Sequence, residues 1–185
     1  MFQRAIAKLS IGSLDEPRLY VDAHYNPKEL AFSRSVPWAT HRHAGHGEDQ
    51  LEVEFTGAQP RVMDLEMLFD CYEQQNGDDP RTIEQLVDVL ELLATVRDPQ
   101  GDAAHRRPHF CVVTWGDQGV KPLRCVIESL AVKYTMLDRL GKPLRAICNL
   151  KVREARLKGD VDIEASNREQ QRATRQRMAA REERS

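Results

Sequence analysis

His41, His43 and His46 form a His-x-His-x-x-His cluster. Three imidazoles at this spacing suit an open tetrahedral Zn²⁺ site, whose bound water would be acidic enough for hydrolysis. Glu48 and Asp49 stand nearby to orient the rings. The cluster nevertheless falls in a glycine-containing stretch without strand or helix periodicity, which is a poor rigid support for ligands. Asp64 and Glu66, two residues apart, share one face of any strand and so could pair as general acid and base. Further acids surround them, and a solvent-facing charged surface accounts for them equally well. Gly57 and Gly116-Asp117-Gln118-Gly119 precede no helix, so they lack the N–H cradle of a phosphate loop and read as turns. No Ser, Cys or Lys lies in a recognisable nucleophile motif, and no cofactor signature is present. A metal-dependent hydrolase built on the histidines is one reading; a protein without an active site is the other.

The elements that would position these residues are mostly strands. Leu51, Val53 and Phe55 alternate with Glu52, Glu54 and Thr56, and after Gly57-Ala58-Gln59-Pro60 the residues Met63, Leu65, Met67 and Phe69 alternate in the same way. Period two on both sides of a turn predicts an antiparallel hairpin with one dry face. Upstream, Phe2–Leu14 and Leu19–Ala23 read as strands joined by Asp15-Glu16-Pro17. Ser33–Gln50 is predicted as a protruding loop, with Phe32 and Trp38 pinning its base to the core. Downstream, the spacing of Ile83, Leu86, Val87, Leu90 and Leu93 predicts a helix over Pro80–Val96, capped by Asp79. Strands follow at His109–Trp115, Leu123–Leu137 and Leu144–Val152, the middle one carrying a bulge near Glu128-Ser129 where the apolar phase blurs.

Many antiparallel strands with a single helix exclude a doubly wound sheet. The expected fold is therefore mainly β, an antiparallel barrel or sandwich with one flanking α-helix. At 185 residues the chain fits one domain, residues 1–158, and an Arg-rich extension, 159–185, that is helical or disordered. Cys71, Cys111, Cys125 and Cys148 are far apart and three lie in apolar runs, so reduced core thiols of a cytosolic protein are expected. The N-terminus lacks an apolar signal region and no apolar run is long enough to span a bilayer, which predicts no membrane insertion. The net charge of −2 argues against nucleic acid as the main partner. Arg168, Arg172 and Arg175 in the extension suit an acidic protein surface better, and a stand-alone binding module with a recruiting tail is a third reading.

Several short segments, in order, carry a family resemblance. They are Tyr25-Asn26-Pro27-Lys28-Glu29-Leu30 with Phe32 and Trp38 downstream, Asp64-Leu65-Glu66-Met67-Leu68-Phe69-Asp70 followed by Tyr72, Arg107-Pro108, Trp115-Gly116, and Gly141-Lys142-Pro143-Leu144-Arg145-Ala146. Over about Ala5–Glu154 the chain resembles the N-terminal domain of the contractile injection system tube and LysM baseplate family. It departs from that pattern at Cys71, where a small hydroxyl residue is usual, at His109, where a second proline is common, and in its Arg-rich tail, which stands where a LysM module often continues. The resemblance implies a tail-tube-type fold and a non-enzymatic structural role in a phage-tail-like particle, in the inner tube or in the baseplate hub joining tube to spike. It further implies assembly in the bacterial cytoplasm, ring contacts with copies of itself or tube subunits, and contacts with spike and baseplate proteins. Phe32, Trp38, His41, His43, His46, Arg168, Arg172 and Arg175 are the expected contact residues, with no metal and no cofactor.

Overall fold

A computed structural model describes residues 7–42, 51–72, 80–102, 105–116 and 120–156. Nine strands and one helix follow one another: β1 Leu9–Ser13, β2 Tyr20–Asp22, β3 Ala31–Ser33, β4 Trp38–Arg42, β5 Leu51–Phe55, β6 Val62–Asp70, α1 Ile83–Ala94, β7 Cys111–Trp115, β8 Leu123–Leu137 and β9 Pro143–Glu154. Seven strands form one antiparallel sheet in the order β2-β1-β7-β8-β9-β6-β3, and β4 and β5 form a separate two-stranded ribbon. The fold is mainly β with one helix, as the sequence indicates. The sheet is not closed by a strand ladder: β2 and β3 are its ends. An isolated bridge between Tyr25 and Leu68 and a hydrogen bond from the Asp70 N–H to His24 link the segment after β2 to β6.

One face of the sheet is dry because its alternates are apolar. Leu9 and Ile11 of β1, Met63, Leu65, Met67 and Phe69 of β6, and Ala146, Cys148, Leu150 and Val152 of β9 are all buried. Against this face lie the five residues of the helical stripe, Ile83, Leu86, Val87, Leu90 and Leu93, each no more than 2 % exposed. The helix starts later than expected. Its N-cap is Thr82, whose side chain accepts from the Gln85 N–H while the Gln85 side chain reaches back to the Thr82 N–H, a reciprocal capping box. Asp79 lies outside the described residues.

In β8 the buried positions are Leu123, Cys125 and Ile127, and beyond the bulge Leu130 and Val132 pack against the core. The register with β9 slips between Ile127 and Ser129, leaving Glu128 without a Cα partner. One extra residue thus moves the apolar set from odd to even positions, which keeps both halves of a 15-residue strand facing inward.

The expected Leu51–Phe69 hairpin is not formed. β5 pairs with β4, with Trp38 opposite Phe55 and Arg42 opposite Leu51, whereas β6 pairs with β9 on one side and β3 on the other. Period two identifies a strand and its faces but carries no information about its partner. Nor is the Val53–Phe55 face dry, since Val53 is 58 % and Phe55 52 % exposed. Part of the predicted loop is regular: residues 38–42 are strand, and residues 43–50 lie outside the described set. Bonds from the Thr56 N–H to the Pro37 carbonyl and from the Gln59 N–H to the Ser35 carbonyl carry the β4–β5 ribbon onward from the β3–β6 pair.

Phe69 is fully buried, with the His24 ring edge-on to it at 5.5 Å. Phe69→Ala is expected to lower unfolding free energy by about 3–5 kcal/mol in chemical denaturation, whereas Trp38→Ala on the exposed ribbon should stay within about 0.5 kcal/mol of wild type.

Candidate functional site

The structure brings together polar groups that the sequence keeps apart. Ser13 and His109, 96 residues distant in the chain and both nearly buried, meet at 2.7 Å between Oγ and Nδ1. Such a pair resembles a nucleophile and its base, but the valences decide otherwise. The Ser13 oxygen accepts the N–H groups of Asp15 at 3.0 Å and Glu16 at 2.9 Å. A hydroxyl has two acceptor sites and one proton, so both acceptors are engaged and the proton points to His109 Nδ1. That fixes the neutral tautomer with its hydrogen on Nε2. Burial first, and then the Arg97 cation, hold the His109 pKa below its ordinary value. The oxygen is committed to a turn, not offered to a substrate.

Beside this pair, Asp15 gathers three donors. Arg107 gives it a bidentate contact at 2.9 Å through both terminal nitrogens, Arg97 lies at 3.2 Å, and the Phe110 N–H donates at 2.8 Å. The Arg107 guanidinium also stacks 3.9 Å above the Phe110 ring. The hydrogen bond from Arg107 is the main reason that the Asp15 carboxyl drops from an ordinary 3.8 to about 2. This clasp ties the β1–β2 turn to the entry of β7.

A second fastening lies between the segment after β2 and the end of β6. The Asp70 N–H donates to His24 Nδ1 at 3.1 Å, and the Asp70 carboxylate takes Arg145 Nε at 2.8 Å and the Tyr72 N–H at 2.9 Å. His24 Nε2 is buried with no hydrogen-bond partner among the described residues. Alongside runs an open cleft of about 1030 Å³, lined among others by Tyr25, Asn26, Lys28, Asp64, Glu66 and Lys151. Asp64 and Glu66 therefore lie together on the exposed face of β6, as expected, with Lys28, Lys151 and Ser129 among the other cleft residues.

His41 stands in β4 opposite Glu52, while His43, His46, Arg168, Arg172 and Arg175 lie outside the described residues. Among the described residues no group of three or more His, Cys, Asp or Glu side chains is placed to hold a metal ion. Phe32 and Trp38 do not pin a loop to the core: they are 42 % and 57 % exposed, and Trp38 instead packs across the ribbon on Phe55 with ring centroids 5.4 Å apart. The reason is that β4 and β5 bury neither face against the sheet.

What the surface does offer is unpaired strand and exposed apolar side chains. β7 covers β8 only over Leu123–Cys125, so from Val126 to Leu137 no described strand occupies that edge. At the far end of the β8–β9 hairpin, Leu137 and Leu140 are exposed, Leu140 by 94 %. The sequence marks Asp138-Arg139-Leu140-Gly141-Lys142 as a turn, as the structure has it, but an exposed leucine at its tip is not among the contact residues that the sequence suggests.

The described residues thus form an antiparallel sheet with open strand edges and exposed apolar side chains on the β4–β5 ribbon and the β8–β9 turn. Residues 6–160 match the family model for the contractile injection system tube protein. The chain belongs to that family, and the match covers all ten described elements. No curated protein matches the chain. Among the described residues no helix is long and apolar enough to cross a membrane.

Two expectations follow from the site chemistry. A folded-state pKa below the unfolded one makes the Asp15 contribution complete above 3.8 and lost as the pH falls to about 2. His109, also lowered, shifts stability in the same direction at higher pH. Asp15→Asn should therefore cost about 2 kcal/mol at neutral pH and flatten the acid limb of a stability–pH curve. Burial pushes the Cys111, Cys125 and Cys148 thiols up to about 12. A thiol reagent on the native protein is thus expected to modify half-buried Cys71 alone, with the other three reacting only in denaturant.

Proposed function

We propose that the protein is a ring-forming subunit of the inner tube of a phage-tail-like contractile injection system, or of the baseplate hub where that tube meets the spike. The observation that carries this reading is the family match across residues 6–160, which spans the whole described sheet and its helix. Exposed strand edges are a liability in a solitary protein and an asset in a ring, where a neighbour supplies the missing partner. The free edge of β8 beyond Cys125 and the three-residue end strands β2 and β3 are the surfaces suited to that use.

Closed rings use two different faces of each subunit. Beyond those ring edges, Trp38 and His41 of the β4–β5 ribbon, Phe32 of β3, and His43 and His46 supply a further contact surface toward other copies or tube subunits. Arg168, Arg172 and Arg175 supply cations for an acidic neighbour, another subunit or a spike or baseplate protein. Assembly takes place in the bacterial cytoplasm, and the mature protein is part of the particle. A structural role needs no catalytic group, and the fully committed Ser13 hydroxyl is in keeping with that.

Native mass spectrometry and sedimentation of the full-length chain are expected to show oligomers, or a monomer that enters particles when tube and spike proteins are co-expressed. Trp38→Ser combined with Phe55→Ser should leave the fold intact, since both side chains are exposed, and reduce incorporation several-fold. A chain that stays monomeric and co-purifies with no tail component would overturn the proposal.

A further inference from the structure

Two strongly exposed apolar features among the described residues leave the sheet at opposite ends. β6 and β9 run antiparallel, with Val62 opposite Arg153 at one end and Asp70 opposite Arg145 at the other. The β3–β6 pair continues into the β4–β5 ribbon from the Val62 end, where Ser33 pairs with Val62. The turn between β8 and β9 lies beyond the Asp70 end, past the Leu137–Pro143 pair. At about 3.3 Å per residue the length of β9 separates these ends by roughly 40 Å.

The turn is built to present one side chain. Asp138 accepts the N–H groups of Leu140 at 2.7 Å and Lys142 at 2.8 Å through one carboxylate oxygen, and its own N–H donates to the Lys142 carbonyl at 2.9 Å. The Gly141 N–H closes the turn on the Asp138 carbonyl at 3.1 Å, and a φ of 84° at Gly141 suits a residue without Cβ. The loop is thereby fixed by its own hydrogen bonds, yet Leu140 touches almost nothing. Arg139 and Lys142 flank it as exposed cations while the one acid of the turn is occupied by backbone donors.

On one face of the ribbon, Trp38 and Phe55 form a tilted aromatic pair next to Val53, all more than half exposed. Cross-strand register puts Thr40 opposite Val53 and Trp38 opposite Phe55, so these side chains share that face. An apolar knob flanked by cations suits an aromatic floor, which takes up the leucine by burial and the guanidinium or ammonium by its π face.

The geometry points to an axial contact between copies of this chain, in which the Leu140 turn of one subunit seats on the Trp38–Val53–Phe55 face of the next. Because donor and acceptor surfaces differ and sit at opposite ends of the sheet, the contact is head-to-tail and directed along the strands, which is the arrangement that stacks copies along one axis. It deepens the tube proposal and rests on it.

The test mixes full-length chains bearing Leu140→Cys with full-length chains bearing Val53→Cys, oxidises them with diamide, and maps the cross-linked peptides by mass spectrometry. The expected product is a 140–53 disulfide, formed in the mixture at several-fold the yield of any 140–140 or 53–53 product. Rings or tubes on electron micrographs without that cross-link, or with 140–140 as the main product, would overturn the axial contact and leave the tube proposal standing. Failure of the wild-type chain to form any ring or tube, alone or with tail components, would overturn both. In a third sample, Leu140→Glu is expected to leave single rings in place of stacked ones, and stacks as abundant as those of wild type would count against the contact.

Discussion

The constraint on which the structure depends is the burial of a single helical stripe by a single sheet face. Ile83, Leu86, Val87, Leu90 and Leu93 are almost wholly removed from water, and the sheet supplies the matching surface from β1, β2, β6, β7, β8 and β9. At roughly 1.5–3 kcal/mol for each large apolar side chain buried, this one interface outweighs every polar contact described above. It also dictates the strand register, because sliding any strand by one residue would turn its leucines and valines outward. The capping box at Thr82 and the slip at Glu128 are local adjustments that let helix and sheet keep facing each other.

The polar clasps have a different role. Asp15 with its two arginines, and Asp70 with Arg145 and His24, do not build the core but fasten the chain where strands turn. The first joins the β1–β2 turn to β7, and the second joins the segment after β2 to β6. The second of these draws the β2 end of an unclosed sheet toward β6 without a continuous ladder. The Ser13–His109 pair shows why proximity alone is a weak argument for catalysis. Its distance would suit a reaction, but its lone pairs are already filled.

How much of this could be read from the residues differed with the range of the interaction. The helical stripe, the limits of β8, the bulge near Glu128 and the strand character of β5, β6 and β9 are all local patterns, and the sequence displays them. The partner of β5 is not local. Alternation in Leu51–Phe55 is equally compatible with pairing to β6 or to β4, and proline and glycine between residues 56 and 60 look like a hairpin turn although the chain merely passes through them. Trp38 looks like an anchor in the sequence because tryptophan is usually well buried, whereas it belongs to a ribbon on which it stays 57 % exposed. The clasps were invisible because Ser13 and His109, or Asp15 and Arg107, are more than 90 residues apart. The family pattern, spread over short segments, was legible where the pairing was not.

The bulge at Glu128 has one more effect. A foreign strand laid along β8 from Leu137 toward Ser129 meets a break in the pleat there, because the backbone beyond Glu128 is out of phase with the stretch before it. The register also shifts between Tyr134 and Leu137, so such a strand meets more than one break instead of a continuous rail. Any array of copies built along that edge would therefore inherit a fixed offset between neighbours, set by the surplus residues inside the subunit.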